Sequence, residues 1–272
     1  MTIGNSNHII PTIYKRIRMK RTVSLDELRR FNLRMAGLHA AQGLAVLLLS
    51  NGFTLPVHGS YLFFNGATQH LEPATKILFT VQLSWLIAAF FFISALAHLL
   101  VGTLYNARYN QNLERGINKA RWAEYSISAS IMMVAIGMLV GIYDAASLVM
   151  LFALAAIMNL MGLVMEVHNQ TTTKTNWLSY LIGCWAGLVP WLVIALYMWL
   201  SASEGSRAPT FVYWIFVSIF LFFGSFAINM VLQYKKIGPW KDYVYGERVY
   251  ILLSLIAKSL LAWQVFAGTL RP

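Results

Sequence analysis

A helix needs about 20 mostly apolar residues to cross a bilayer. Read against that length, the chain alternates long apolar runs with short polar connections seven times. The runs fall at 29–50, 77–104, 120–142, 146–167, 177–200, 210–234 and 248–270. They predict an all-α membrane protein built as a bundle of seven transmembrane helices. One connection, from Asn51 to Thr75, is long enough to hold structure of its own. Its Gly, Pro and Asn residues punctuate aromatic and β-branched positions such as Tyr61, Phe63 and Phe64, the signature of a short β-hairpin. Residues 1–28 form a basic polar segment ahead of a helical domain at 29–270.

Composition agrees with lipid as the main solvent. Of 272 residues, 58% are hydrophobic and 11% charged, against about 25% charged in an ordinary soluble domain. The first 30 residues are basic and polar, and the run after them lacks a small-residue cleavage pattern, so no cleavable signal peptide is expected. The net charge of +11 would suit a nucleic-acid partner if it were spread over a soluble face. Its placement argues for a membrane instead. Lys15, Arg16, Arg18, Lys20, Arg21, Arg29 and Arg30 precede or open the first span. Arg108, Arg115, Lys119 and Arg121 fill the second loop, and Lys235, Lys236, Lys241 and Arg248 the sixth. The alternate loops hold little more than Lys76 and Arg207. The positive-inside rule then puts the N-terminus in the cytoplasm and, after seven spans, the C-terminus outside, with the basic collar at the lipid headgroups. A single cysteine, Cys184, excludes an intrachain disulfide and a cysteine metal cluster.

The last span contains an anomaly. Lys258 stands near the middle of ILLSLIAKSLLAWQ, Ile251–Gln264, too deep to snorkel easily. A charged lysine at that depth costs roughly 2.5–3.5 kcal/mol on insertion scales. It can be a packing residue paired to a carboxylate, an ion-path residue, or a covalent imine former whose amine burial makes nucleophilic. Each use calls for a nearby acid, and few are available. Glu124 lies about one turn into the third span; Asp144 and Glu166 sit at span edges and read as interfacial. Glu124 is therefore the expected partner.

These pieces resemble the heliorhodopsins, an inverted branch of the microbial rhodopsins. The likeness rests on RWAEYS at Arg121–Ser126, GCWAGLVPW at Gly183–Trp191, FLFFGSFA at Phe220–Ala227 and YGERVYILLSLIAKSLLAWQVFAGTL at Tyr245–Leu270. NLRMAGLHAAQ, Asn32–Gln42, adds the first helix, so the resemblance covers nearly all of the chain beyond its first 25 or so residues. It implies all-trans-retinal bound covalently to Lys258 as a Schiff base, with Glu124 as counterion. It also implies a homodimer, with the long outer loop and the fourth and fifth spans as the expected contacts.

A polyene between helices needs flat apolar walls. Tyr125, Ser128, Trp191, Phe222, Phe223, Phe226, Ser254 and Trp263 are the candidate pocket residues, with Pro190 expected to kink the fifth span. By resemblance, His39 and His98 line a hydrated cavity beside the Schiff base; Gln42 lies one turn beyond His39 and shares its face. A buried histidine satisfied by a neighbouring hydroxyl would look the same in sequence. His8, His58, His70 and His168 fall in loops or tails and make no metal site. Pump-type rhodopsins carry further acids four residues before the lysine and three turns past the counterion; here Ser254 and Ala135 stand there. The expectation is a sensory photoreceptor without net pumping, addressing an unidentified cytoplasmic partner, with a light-driven or light-gated ion transporter as the alternative. A membrane enzyme using the Lys258 amine lacks any partnering acid–base cluster.

Overall fold

The structure, a computed structural model, describes residues 23–272. His8 and the basic residues Lys15 to Arg21 lie outside the described residues. The elements run α1 (Leu25–Leu49), β1 (Thr54–Asn65), β2 (His70–Gln82), α2 (Leu83–Gly102), α3 (Asn106–Glu114), α4 (Lys119–Leu139), α5 (Ala145–His168), α6 (Leu178–Ser203), α7 (Thr210–Tyr234) and α8 (Tyr243–Val265). A π-helical turn, Phe266–Leu270, extends α8. Helices α2, α4, α5, α6, α7 and α8 are each long and apolar enough to cross a membrane. Helix α1 is also long, at 25 residues, but Asp26, Glu27, Arg29, Arg30 and Arg34 occupy its first turns.

Side chains at the helix starts satisfy backbone N–H groups that have no partner within the helix. Ser24 and Glu27 form a reciprocal capping box on α1. Asn118 accepts from Arg121 N at 2.9 Å on α4, and Asp144 accepts from Ser147 N at 3.0 Å on α5. Asp242 caps α8 through Val244 N at 3.0 Å. Helix α6 continues through Pro190.

Two boundaries differ from the sequence expectation. The hairpin is much longer than a 51–75 loop, because residues 77–82 pair with β1 and do not begin the second span. Ile77, Phe79, Val81 and Gln82 sit opposite His58, Val57, Leu55 and Thr54. A hydropathy window cannot separate an apolar strand from the start of an apolar helix; the β-branched residues in Ile77–Val81 were the available sign. The second difference is α3, a short polar helix in what reads as a loop; Tyr109 and Leu113 bury its inner face.

The hairpin is fixed to the bundle through its base, by hydrogen bonds to the start of α5 and by apolar contacts. Where the register shifts between Val57 and His58, with Leu78 the extra residue on β2, the His58 N–H donates to Tyr143 O at 2.8 Å, and Ser60 Oγ donates to Asp144 Oδ1 at 2.8 Å. Leu55 and Val57 reach the main core, while Tyr61, Leu62, Phe63 and Phe64 are exposed.

The helices pack in a ring. α1 lies against α2 and α8, α2 against α4, α4 against α5, α5 against α6, and α7 against α8. Between α6 and α7 the contact is made by aromatic rings: Trp191 meets Phe216, Phe220 and Phe223 edge-on with centroids 5.5–5.6 Å apart. Side chains hold these two helices apart, and a cavity lies between them and the bundle centre.

Candidate functional site

Helices α4 and α8 run in the same direction, for Asn118 at the start of α4 bonds Glu247 near the start of α8. Deeper in the bundle, Lys258 Nζ donates to Glu124 Oε1 at 3.1 Å and to Ser254 Oγ at 2.7 Å. Ser254 is one helical turn before Lys258, and helical side chains lean toward the N-terminus, so the lysine folds back over it. Both ionised side chains are buried, at 4% and 7% exposure. Ser94, from α2, donates to the same Glu124 oxygen at 2.6 Å. The Tyr125 ring lies 5.1 Å from Nζ, and its hydroxyl donates to Tyr250 O at 2.9 Å. The amine is thus held by one carboxylate, one hydroxyl and one aromatic face.

Lys258 also stands in the wall of a cavity of about 270 Å³, near the lower bound of roughly 300 Å³ for small-molecule sites. Of the candidate pocket residues, Tyr125, Trp191, Phe223, Phe226 and Ser254 line it. Trp122, Met132, Met158 and Asn159, which sequence reading did not single out, line it too. Glycines keep the slot thin. A Cβ on Gly162 would come within 2.4 Å of the Trp122 ring, and one on Gly187 within 2.3 Å of Met158 Sδ. A flat, apolar, aromatic-walled slot with one amine in its wall fits a polyene aldehyde.

Three expected pocket residues lie elsewhere. Trp263 does not line the cavity: its Nε1 donates to Gln42 Oε1 at 3.1 Å, on the α1 side of α8, and it is 37% exposed. Five residues along a helix is a rotation of about 140°, which carries it away from the face of Lys258. Phe222 likewise falls outside the lining, although its neighbour Phe223 belongs to it. Ser128 is fully buried in α4, one turn past Glu124 with its hydroxyl beside that carboxylate, and is not a lining residue.

On the other side of the ion pair, His39 and His98 stack with centroids 5.5 Å apart and planes at 4°. His98 Nδ1 meets Asn32 Oδ1 at 2.7 Å, whereas both ring nitrogens of His39 are buried without partners. A second, polar cavity of about 30 Å³ is lined by Asn32, His98, Tyr109, Asn118, Arg121, Glu124 and Glu247, about the volume of one water in the liquid. Gln42 is separate from it, engaged with Trp263.

The far wall of that cavity overturns one expectation. Glu166 and Arg121 are not interfacial: they are 1% and 6% exposed. Arg121 reaches both Glu166 and Glu247, and its guanidinium carbon lies 4.0 Å and 4.4 Å from the Tyr250 and Trp122 rings. Glu166 further accepts from Asn118 N, Trp122 Nε1 and Tyr243 Oη at 2.7–2.9 Å. Helix α3 and the start of α8 cover what hydropathy reads as a span edge. Glu247 was missed altogether. The available sign was its spacing: eleven residues before Lys258 is three turns, hence the same face of α8.

A model of the heliorhodopsin family matches residues 28–270. The chain belongs to the heliorhodopsin family. Membership makes it a retinal photoreceptor of the membrane, of a kind that binds its chromophore covalently through a lysine. No curated relative matches the chain. Among solved structures it is similar to a light-driven proton pump from Leptosphaeria maculans, with a TM-score of 0.64 at 16% identity, over 91% of this chain and 96% of that one. At that identity the likeness speaks for a shared rhodopsin-like fold.

Proposed function

We propose that this family member carries all-trans-retinal on Lys258 with Glu124 as counterion, and acts as a sensory photoreceptor without net ion transport. The observation that carries the reading is the buried Lys258–Glu124 pair in the wall of the aromatic slot. When bound, retinal supplies visible absorption and a double bond that isomerises in light. The chain's own residues do the rest. Glu124 compensates the charge on the lysine nitrogen in a medium where an unpaired ion is costly. Ser254 and Ser94 fix the positions of Nζ and of the carboxylate. Trp122, Tyr125, Trp191, Phe223 and Phe226 confine the polyene and exclude water from it.

Two features favour sensing over pumping. Past Glu124, α4 offers Ser126, Ser128 and Ser130 and then no ionisable side chain, and Ser254 stands one turn before the lysine. Helix α1 serves as the seventh span, with the arginines of its first turns at the cytoplasmic surface, so that the C-terminus faces outward. Two copies pair through the exposed apolar tip of the hairpin and the outer faces of α5 and α6, and the basic cytoplasmic surface meets anionic lipid or a signalling partner.

The test is reconstitution of the full chain with all-trans-retinal. A visible band that is absent in Lys258→Ala, together with no light-driven current or pH change in expressing cells, is the expected outcome. A band that survives Lys258→Ala removes the assignment. A photocurrent would favour the transporter.

A further inference from the structure

Among the described residues the buried core contains three carboxylates, Glu124, Glu166 and Glu247, and two basic side chains to pair with them, Arg121 and Lys258. Lys258 is matched by Glu124. Arg121 alone faces both Glu166 and Glu247. With every acid ionised the core would hold one uncompensated negative charge, the arrangement a low-dielectric interior tolerates least.

We propose that Glu247 is a buried proton-binding site and is neutral in the resting protein. The choice among the three acids follows from their donors. Glu166 accepts from Asn118 N–H, Trp122 N–H, Tyr243 O–H and Arg121, four donors at once, which suits a charged carboxylate. Glu124 faces the lysine ammonium and the Ser94 hydroxyl. Glu247 receives only Arg121 and the Asn118 amide, the latter at 2.6 Å. It also borders the polar cavity shared with Glu124 and His98, where a water can take its proton as a hydrogen bond. Two further buried atoms in the cluster lack partners, Arg121 Nε and Tyr250 Oη. A water in that cavity would serve the first of them.

The titratable groups around the site are named by the same geometry. Arg121, Glu124 and Tyr125 face it from α4, Glu166 from α5, and Tyr243 and Tyr250 from α8 itself. Tyr109 faces it from α3, and His98 from α2. His98 is the rival home for the proton, since its cation would restore neutrality equally well. The function that follows is a proton reservoir one water away from the Lys258–Glu124 pair, able to exchange with it without passing through bulk solvent.

The test needs no chromophore, so its failure is distinct from failure of the retinal assignment. Full-length protein is prepared with unlabelled and with carbonyl-13C glutamate, and the infrared spectra are subtracted at neutral pH. A protonated-carboxyl C=O band that moves with the label is expected. That band is lost in Glu247→Gln and moves out of the glutamate-labelled set in Glu247→Asp. Because Gln mimics a neutral Glu, Glu247→Gln should change the melting temperature by less than about 2 °C, whereas Glu166→Gln lowers it by more than about 5 °C. Absence of the labelled band, its survival in Glu247→Gln, or failure of Glu247→Gln to fold would each overturn the proposal. A histidinium signature at His98 would do the same.

Discussion

Removing the acid of the central ion pair should be far more damaging than removing the pair. At 3.1 Å and an effective dielectric of about 20, the Lys258–Glu124 attraction amounts to about 5 kcal/mol. Glu124→Gln keeps the shape of the side chain but leaves the ammonium with the Ser254 oxygen and the Tyr125 ring face, neither of them charged. Stranding a buried ion in this way costs about 3–5 kcal/mol. For a chain of this size that corresponds to a fall in melting temperature of roughly 6–20 °C. The double variant Glu124→Gln/Lys258→Met has no charge left to strand, so it should recover at least half of the fall. The assay is thermal melting of the full chain in detergent, followed by circular dichroism, for wild type, both single variants and the double. If Glu124→Gln melts within about 2 °C of wild type, or the double variant falls by the sum of the singles, the electrostatic account of the site is wrong.

Three further outcomes are expected. Filling the slot with Gly187→Leu should reduce retinal uptake strongly and cost about 1–3 kcal/mol of stability by overpacking against Met158; normal uptake, read from the visible band, would place the chromophore elsewhere. Trp263→Phe should leave that band nearly unmoved, because Trp263 faces Gln42 and not the slot; a large shift would return it to the pocket. At the outer end, hydrogen bonds from Ser147 and Ser60 hold the Asp144 carboxyl below the usual carboxylate range. A lowered folded-state value means that docking of the hairpin is intact above the ordinary carboxylate range and is lost as pH falls through the lowered value. The protection factor of the His58 amide, its exchange corrected for the intrinsic pH dependence, should therefore fall at acid pH in wild type, and already be low at neutral pH in Asp144→Ala.

Much of this was legible in sequence because membrane residence simplifies the reading. An amine within an apolar run is conspicuous, so Lys258 declared itself, and with so few acids available Glu124 followed. Rotation about helix axes was less legible. Phe222 and Phe223 are adjacent, yet only one reaches the slot, and no hydropathy window carries that angle. Glu166 and Arg121 were hidden for another reason: they sit at the ends of apolar runs, where a charged residue normally means the headgroup layer, and it takes the tertiary cover from α3 and Tyr243 to turn an edge into an interior. The strand at residues 77–82 failed through degeneracy, since a short apolar stretch satisfies either period.

The order of charges along the two central helices has a mechanical consequence. Read from the same end, α4 presents Arg121 then Glu124, and α8 presents Glu247 then Lys258. Were α8 to slip toward its start, Lys258 would approach Arg121; were it to slip the other way, Glu247 would approach Glu124. The first slip would bring two cations together and the second would pull Glu247 off Arg121 and Lys258 off Glu124, so the pair of helices is braced against axial translation. Tilting and twisting are the displacements this pattern leaves open to α8.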